Sequence, residues 1–217
     1  MKSSTLQFLK TLEKNNNRDW FNTNKDLYTV ARQDVISFIE ELQTEISGFD
    51  PEVLKMDAAK SLFRIYRDTR FSLDKTPYKT NFGASLGMGK GSQRAGYYLH
   101  VEPGRSFVSG GLYQPDSAVL KTLRKFISAN NDAFQKILGA SGFRNNFRGL
   151  STESKLQRVP AGFEKEDPVA EFLKLKQFVV SHPVSDTYLL DKDAPQKLAG
   201  IFKSMKPLND FLNSAFS

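Results

Sequence analysis

Ala95-Gly96-Tyr97-Tyr98-Leu99-His100-Val101-Glu102-Pro103-Gly104-Arg105-Ser106-Phe107-Val108-Ser109-Gly110-Gly111-Leu112 decides the fold. Aromatic and aliphatic residues fill 95–101 and return over 106–112, and Glu102-Pro103-Gly104 turns the chain between them. Upstream, Phe82 to Met88 has the same strand character, and Gly89-Lys90-Gly91-Ser92 supplies the tip of a hairpin with 95–101. Ser61-Leu62-Phe63-Arg64-Ile65-Tyr66-Arg67 mixes β-branched, aromatic and basic residues and predicts one more strand. Three or four consecutive strands on short turns specify an antiparallel meander, because parallel neighbours need a long crossover.

The segments on either side have helical period. Ser4-Thr5-Leu6-Gln7 has capping-box spacing with Ser4 as N-cap, and Leu6, Leu9 and Leu12 form a stripe. Asn15-Asn16-Asn17 is expected to stop that helix in a left-handed conformation. Trp20, Asn24, Leu27, Ala31, Val35, Phe38, Leu42 and Ile46 predict one long second helix, ended by Gly48 and kept from resuming by Pro51. Beyond the meander, Asp116 caps a helix carrying Leu120, Leu123 and Ile127, and Ala133 to Leu138 form another that stops at Gly139. Residues 141–167 read as irregular, with a short strand at 155–158. Pro168 opens a helix, Phe178 to Ser181 form a last strand, and a C-terminal helix starts near Pro195 and kinks or restarts at Pro207. Helices, then grouped strands, then helices is the order of an α+β domain. The expectation is one domain over 1–217: a curved antiparallel sheet in mid-chain, packed by N-terminal and C-terminal helices.

Composition bounds the chemistry. The 217 residues include 18 Phe and 39% hydrophobic side chains, enough for a filled core. There is no cysteine, which excludes disulfides, thiolate zinc sites and thiol catalysis. The first residues lack the apolar region of a signal peptide, and no apolar run reaches the length of a membrane span. A soluble, cytoplasmic protein without a membrane partner is expected; composition sets no oligomeric state.

The net charge of +7 is unevenly placed. Residues 60–79 carry six Lys/Arg against two Asp/Glu, and 90–158 carry eleven against four, while both ends are mildly acidic. A basic middle favours an anionic partner.

The candidate site residues concentrate there. Arg64, Arg67, Arg70, Lys75 and Lys79 stand against only Asp68 and Asp74, with Tyr66, Phe71 and Tyr78 interleaved. Arginine forks match phosphate and carboxylate oxygens in pairs. On a strand, Arg67 shares the core side with Phe63 and Ile65 and needs a carboxylate, Asp68 or Asp19. Ser72 or Asp74 turns the following loop, Pro77 holds Thr76 extended, and Tyr78 offers a hydroxyl or packs. Arg18 lies beside the free N–H groups expected at the start of the second helix. Tyr98 and His100 share one strand face, Tyr97 and Leu99 the other. His100 reads first as a satisfied hydrogen-bonder and then as a proton-transfer group; His182 reads as a loop residue. Two separated histidines without carboxylates at ligand spacing give no metal site, and no cofactor is indicated. Gly110-Gly111 at a strand end permits close approach, as a second wall of the site or as a bulge.

Several of these groups recur together in a known pattern. Asn15-Asn16-x-Arg18-x-Trp20-Phe21, Arg64-x-x-Arg67-Asp68-x-Arg70-Phe71-Ser72-x-Asp74-Lys75-x-Pro77-Tyr78-Lys79, Tyr97-Tyr98-Leu99-His100-x-Glu102-Pro103 and Gly110-Gly111-Leu112-x-x-Pro115 resemble the bacterial domain-of-unknown-function family DUF2461. Arg158-Val-Pro160-x-Gly162-Phe163 and Leu173-x-x-Lys176 resemble its C-terminal part. The resemblance implies one domain of this length and assigns no catalytic residues.

Three functions fit the residues. The first is a pocket for a small phosphorylated or carboxylated ligand, clamped by Arg18, Arg64, Arg67, Arg70, Lys75 and Lys79, with Tyr98 as a further ligand contact and Tyr78, His100 and Asp68 as the available proton-transfer groups for an enzymatic reaction. The second is a nucleic-acid surface of basic and aromatic residues. The third is an interaction module whose arginines are all internally paired.

Overall fold

In the computed structural model, β1 (Phe82–Leu86), β2 (Gly96–Val101), β3 (Phe107–Leu112) and β4 (Phe178–Pro183) form one open antiparallel sheet in that order. The structure describes residues 1–87 and 92–217. The hairpin tip expected at Gly89-Lys90-Gly91 lies outside the described residues. The alternation in β2 and β3 is expressed as burial: Tyr97, Leu99 and Val101 are buried, as are Val108 and Leu112, while Tyr98 and His100 are half-exposed.

Helices flank the strands in sequence: α1 (Ser3–Lys14), α2 (Arg18–Thr23), α3 (Lys25–Ser47), a 3-10 turn (Pro51–Lys55) and α4 (Ala58–Ser61) come first. After β3 follow α5 (Ser117–Ala129), α6 (Asn131–Gly139), α7 (Ser141–Asn146) and α8 (Ala170–Leu173). After β4 come α9 (Asp186–Leu190) and α10 (Ala194–Ser214). The fold is α+β.

The chain groups into two compact units. The first comprises Met1–Gly89, Tyr98–Val108 and Pro183–Gly200. Its core joins α1 to α3 through Leu9, Leu12, Phe38, Ile39 and Leu42, all essentially without solvent contact. An aromatic column continues it: Phe8 lies near Trp20, Tyr28 and Phe82, and Phe21 near Tyr28 and Tyr78. Such ring pairs add about 0.5–1.5 kcal/mol each beyond the area they bury.

The second unit comprises Lys90–Tyr97, Ser109–His182 and Ile201–Ser217. Phe134 is its centre, flanked by Phe172, Phe178 and Phe211. Phe202 meets Tyr97 edge-on. The two glycines of β3 explain how closely this unit packs. A Cβ on Gly110 would lie 2.6 Å from Met205 Sδ, and one on Gly111 only 2.0 Å from the carbonyl oxygen of Phe178. Gly111 also has φ +116°, a left-handed value. The close approach expected there is thus to protein, to Met205 and to the Phe178 backbone.

Several local expectations are corrected. α1 begins at Ser3 without a side-chain cap; instead, Asp34 of α3 accepts from Lys2 N–H at 2.9 Å and from Thr5 Oγ1 at 2.6 Å. A tertiary carboxylate therefore anchors the start of α1. Asn15 ends α1 at φ −130°, not left-handed, with its amide on the Thr11 carbonyl. The long second helix is two: Asn24, at φ −108° and ψ 24°, breaks it, and Leu27 is exposed. Residues 62–67 make no strand, for the reason given below. His182 lies on β4, its Nδ1 2.9 Å from the Asn146 carbonyl oxygen. Residues 141–146 are helical rather than irregular, the strand expected at 155–158 is a single bridge from Lys155 to Leu175, and the helix after Pro168 is one turn. α10 runs through Pro207 as one helix.

Candidate functional site

Residues 62–67 run antiparallel to 77–84 without becoming a strand. Bridges join Leu62 to Ala84 and Tyr66 to Tyr78, so 63–65 on one side face 79–83 on the other. The surplus residues bulge. Pro77, which has no N–H, still accepts from Arg67 N–H at 2.9 Å, while Lys79 N–H reaches the Ile65 carbonyl at 2.7 Å and Phe63 N–H the Gly83 carbonyl at 2.8 Å. Asn16 pins the far end: its amide donates to the Tyr78 carbonyl at 2.9 Å and its carbonyl accepts from Tyr78 N–H at 3.1 Å. Alternation survives in burial, since Ile65 is buried and Phe63 and Arg67 are half-buried, whereas Arg64, Tyr66 and Asp68 are exposed.

Arg67 closes the loop that follows. Its guanidinium pairs with Asp74, not with Asp68 or Asp19, and also meets the Thr76 hydroxyl and, at 3.2 Å, the Thr76 carbonyl. Asp74 Oδ1 accepts from Thr76 N–H at 2.9 Å, the local turn expected of an Asp at this place. That backbone bond, with the Arg67 and Thr76 side-chain bonds, holds the Asp74 carboxyl down at about 2. Arg70 grips Asp68 through two donors at 2.9 and 2.7 Å, which lowers the Asp68 carboxyl and raises the Arg70 guanidinium. Lys75 Nζ donates to the Thr69 carbonyl at 2.9 Å. Arg67, Arg70 and Lys75 are therefore internally bonded. Arg18 and Arg64 make no ion pair or side-chain hydrogen bond among the described residues.

A cleft of about 370 Å³ opens beside this segment. The bulge contributes Lys79, Asn81 and Gly83; the facing segment contributes Phe63, Arg67 and Asp68; and β2 contributes Tyr98 and His100. Lys79 Nζ lies 5.6 Å from the centre of the Phe63 ring, a cation–π distance. A second cleft of about 310 Å³ is lined by Arg18, Tyr66, Arg67, Thr69 and Tyr78 among others, so Arg67 borders both.

The outward face of β2 carries a hydrogen-bonded chain into the first cleft. Tyr98 Oη lies 3.1 Å from His100 Nδ1, and His100 Nε2 lies 3.2 Å from Glu102 Oε2. An ionised Glu102 accepts the Nε2 proton, which leaves Nδ1 to accept from the Tyr98 hydroxyl. Phe107 stacks on the imidazole at 4.6 Å and 15° and fixes its plane. Thr80 and Arg105 donate to Glu102 Oε1 at 3.1 and 2.9 Å. Both His100 and Glu102 side chains are about 15% exposed (14% and 15%). Both ring nitrogens of His100 thus have a partner, Tyr98 on Nδ1 and Glu102 on Nε2.

The structure thus brings Arg67, Asp68, Lys79, Tyr98 and His100 to one cleft and Arg18, Arg67 and Tyr78 to another. Arg64, Arg70 and Lys75 line neither. Tyr78 is buried and stacks on Phe21 at 3.9 Å, and burial raises its phenol above the ordinary range. At the start of the second helix, where an anion site was expected, α2 has six residues and Asn17 Oδ1 accepts from Trp20 N–H at 2.9 Å, so one of the N–H groups expected to be free is capped. Sequence reasoning missed Glu102, taken for a turn residue. The period-two spacing Tyr98-x-His100-x-Glu102 was the available signal.

Among the described residues, no group of His, Cys, Asp and Glu is arranged to hold a metal, and no helix is long and apolar enough to cross a membrane. No curated protein and no solved structure matches the chain. Residues 4–211 match the family described as Conserved hypothetical protein (DUF2461), which covers nearly the whole length. By that match the chain belongs to the DUF2461 family.

Proposed function

We propose that the cleft over β2 binds a small phosphorylated or carboxylated molecule. The observation that carries the reading is the convergence of two cations, Lys79 and Arg67, on the cleft that Tyr98 and His100 also line. Asp68, the carboxylate beside them, is engaged by Arg70, and Asp74 offsets part of the Arg67 charge from the loop. Arg67 is held by Asp74 and Thr76 at 26% side-chain exposure. A cation fixed in advance loses little conformational freedom when an anion arrives. Single-domain organisation over 1–217 belongs to the same proposal, since β2 and β3 each run unbroken through residues of both compact units.

A thermal-shift screen at low salt tests the ligand class. Inorganic phosphate, sugar phosphates, nucleotides, dicarboxylates and short oligonucleotides are compared. A ligand that binds only the folded protein raises Tm by mass action. A shift from a small anion that persists in salt and is lost in Lys79→Ala supports the reading. A shift from oligonucleotides alone, abolished by salt, replaces it with a nucleic-acid surface. No shift from any of them assigns the cationic segment to internal architecture.

A further inference from the structure

We infer that Tyr98, His100 and Glu102 form a proton relay, so that the cleft is a site of general acid–base chemistry with Tyr98 as the group that meets the substrate. Three features of geometry support this. The relay is continuous, with links of 3.1 and 3.2 Å. Its inner end is fixed, since Glu102 is held from the other oxygen by Thr80 and Arg105 and the imidazole lies flat on Phe107. Its outer end is at the cleft, which Tyr98 and His100 line. This is the arrangement of nucleophile or acid, base and orienting carboxylate that activates a hydroxyl, with a phenol in the place of an alcohol.

The step follows from the bonds. A substrate hydroxyl gives its proton to Tyr98 Oη as the phenol proton passes to His100 Nδ1, and the pair of the broken O–H bond stays on the substrate oxygen as an alkoxide. The imidazolium so formed keeps its Nε2 proton on the Glu102 carboxylate, which neutralises it. One proton enters the relay, one is passed along, and nothing is oxidised or reduced. The substrate class is a small phosphorylated or carboxylated alcohol whose anionic group Lys79 and Arg67 hold while its hydroxyl faces Tyr98. The substrate class rests on the anion-binding reading; the relay does not. Glu102 is a positioning residue, acting through His100.

Labelling with benzenesulfonyl fluoride tests the relay without an anion. Tyr98 Oη attacks sulfur, fluoride leaves, and the phenol proton goes to His100. Tyr66 and Tyr113, both exposed, are internal controls read in the same peptide map. The expected result is that Tyr98 labels faster than either control, and that His100→Gln slows Tyr98 by on the order of tenfold or more while the controls keep their rates. Glu102→Gln is expected to slow Tyr98 less, and Glu102→Asp to restore part of the rate; a merely structural role would not separate those two. Tyr98 unlabelled while the controls react, or equally reactive in His100→Gln, overturns the relay. The para-carboxy reagent carries the missing anion. If it labels no faster than the neutral one while the neutral pattern holds, the anion reading fails and the relay stands.

Discussion

Gly83 on β1 lies directly against the phenol of Tyr98 on β2: a Cβ on Gly83 would sit 2.4 Å from Tyr98 Oη and 3.1 Å from Cζ. A strand interior gains nothing from glycine in propensity and loses side-chain packing. Here the missing side chain is the space in which the Tyr98 hydroxyl reaches His100. Gly83→Ala is expected to push the ring aside, because the obstructing atoms are the end of a side chain that can move. The cost is about 1–3 kcal/mol of overpacking. The functional loss is larger in kind: Tyr98 labelling should fall towards that of Tyr113 while the protein still melts cooperatively.

Gly111 provides the opposite case. Its Cβ would meet backbone, 2.0 Å from the Phe178 oxygen, at φ +116°. Backbone cannot swing away as a ring can. Gly111→Ala should cost more than about 3 kcal/mol by combining strain with overlap. Gly104, at φ +73° with nothing within 4 Å of its Cβ position, should cost about 1–2 kcal/mol for the same change. Urea unfolding of the two variants checks the order.

Acid should open the loop that Arg67 closes. The Asp74 carboxyl has an ordinary value of 3.8 and is lowered to about 2 in the folded chain, first by the Thr76 N–H and then by the Arg67 guanidinium. A depressed carboxyl contributes stability that is fully present above the ordinary value and is lost as pH falls through the folded one. The window is therefore from about pH 4 down to about pH 2. Glu171, held at about 2 by Lys155 and Lys174, titrates in the same window. Asp74→Asn and Glu171→Gln should each flatten the dependence of Tm on pH across it, and leave the dependence above pH 5 unchanged. A variant with the wild-type slope would show that its carboxylate is not depressed.

The loop tip should be thermodynamically silent. Phe71 and Leu73 are 96% and 103% exposed, and the Arg70 guanidinium lies 5.9 Å from the centre of the Phe71 ring. Replacing both by Ser should move stability by less than about 0.5 kcal/mol. A larger fall, read by thermal melting at matched protein concentration, would mean that these side chains are covered in solution.

The proposed single domain has its own test. The expected outcome is one unfolding transition, with calorimetric and van't Hoff enthalpies equal. Two resolved transitions, or a calorimetric enthalpy well above the van't Hoff value, would divide the chain.

How much of this was legible in the sequence depended on the range of the interaction. The meander was, because alternation in Tyr97-Tyr98-Leu99-His100 and the Glu102-Pro103-Gly104 turn act locally. The Asp116 cap was too, its carboxylate on Val119 N–H at 2.8 Å. The segment 62–67 misled because its composition is that of a strand, while the bulge at 79–83 that breaks its pairing belongs to the partner segment. The start of α1 misled because its anchor, Asp34, is remote in sequence. At the site, the residue types were visible but their division was not. Nothing in the spacing of Arg64, Arg67, Arg70, Lys75 and Lys79 tells which are consumed by Asp68, Asp74 and the Thr69 carbonyl. Glu102 was hidden for another reason: beside Pro103-Gly104 it looked like turn chemistry, although its side chain continues the face of Tyr98 and His100.

The most direct measurement is a two-dimensional amide NMR titration with inorganic phosphate at low ionic strength. Saturable shifts are expected, concentrated at Phe63, Arg67, Lys79, Asn81, Tyr98 and His100, with the pattern lost in Lys79→Ala. Weak, non-saturating shifts spread over exposed lysines such as Lys121 and Lys192, with the cleft unchanged, would contradict the anion-binding reading.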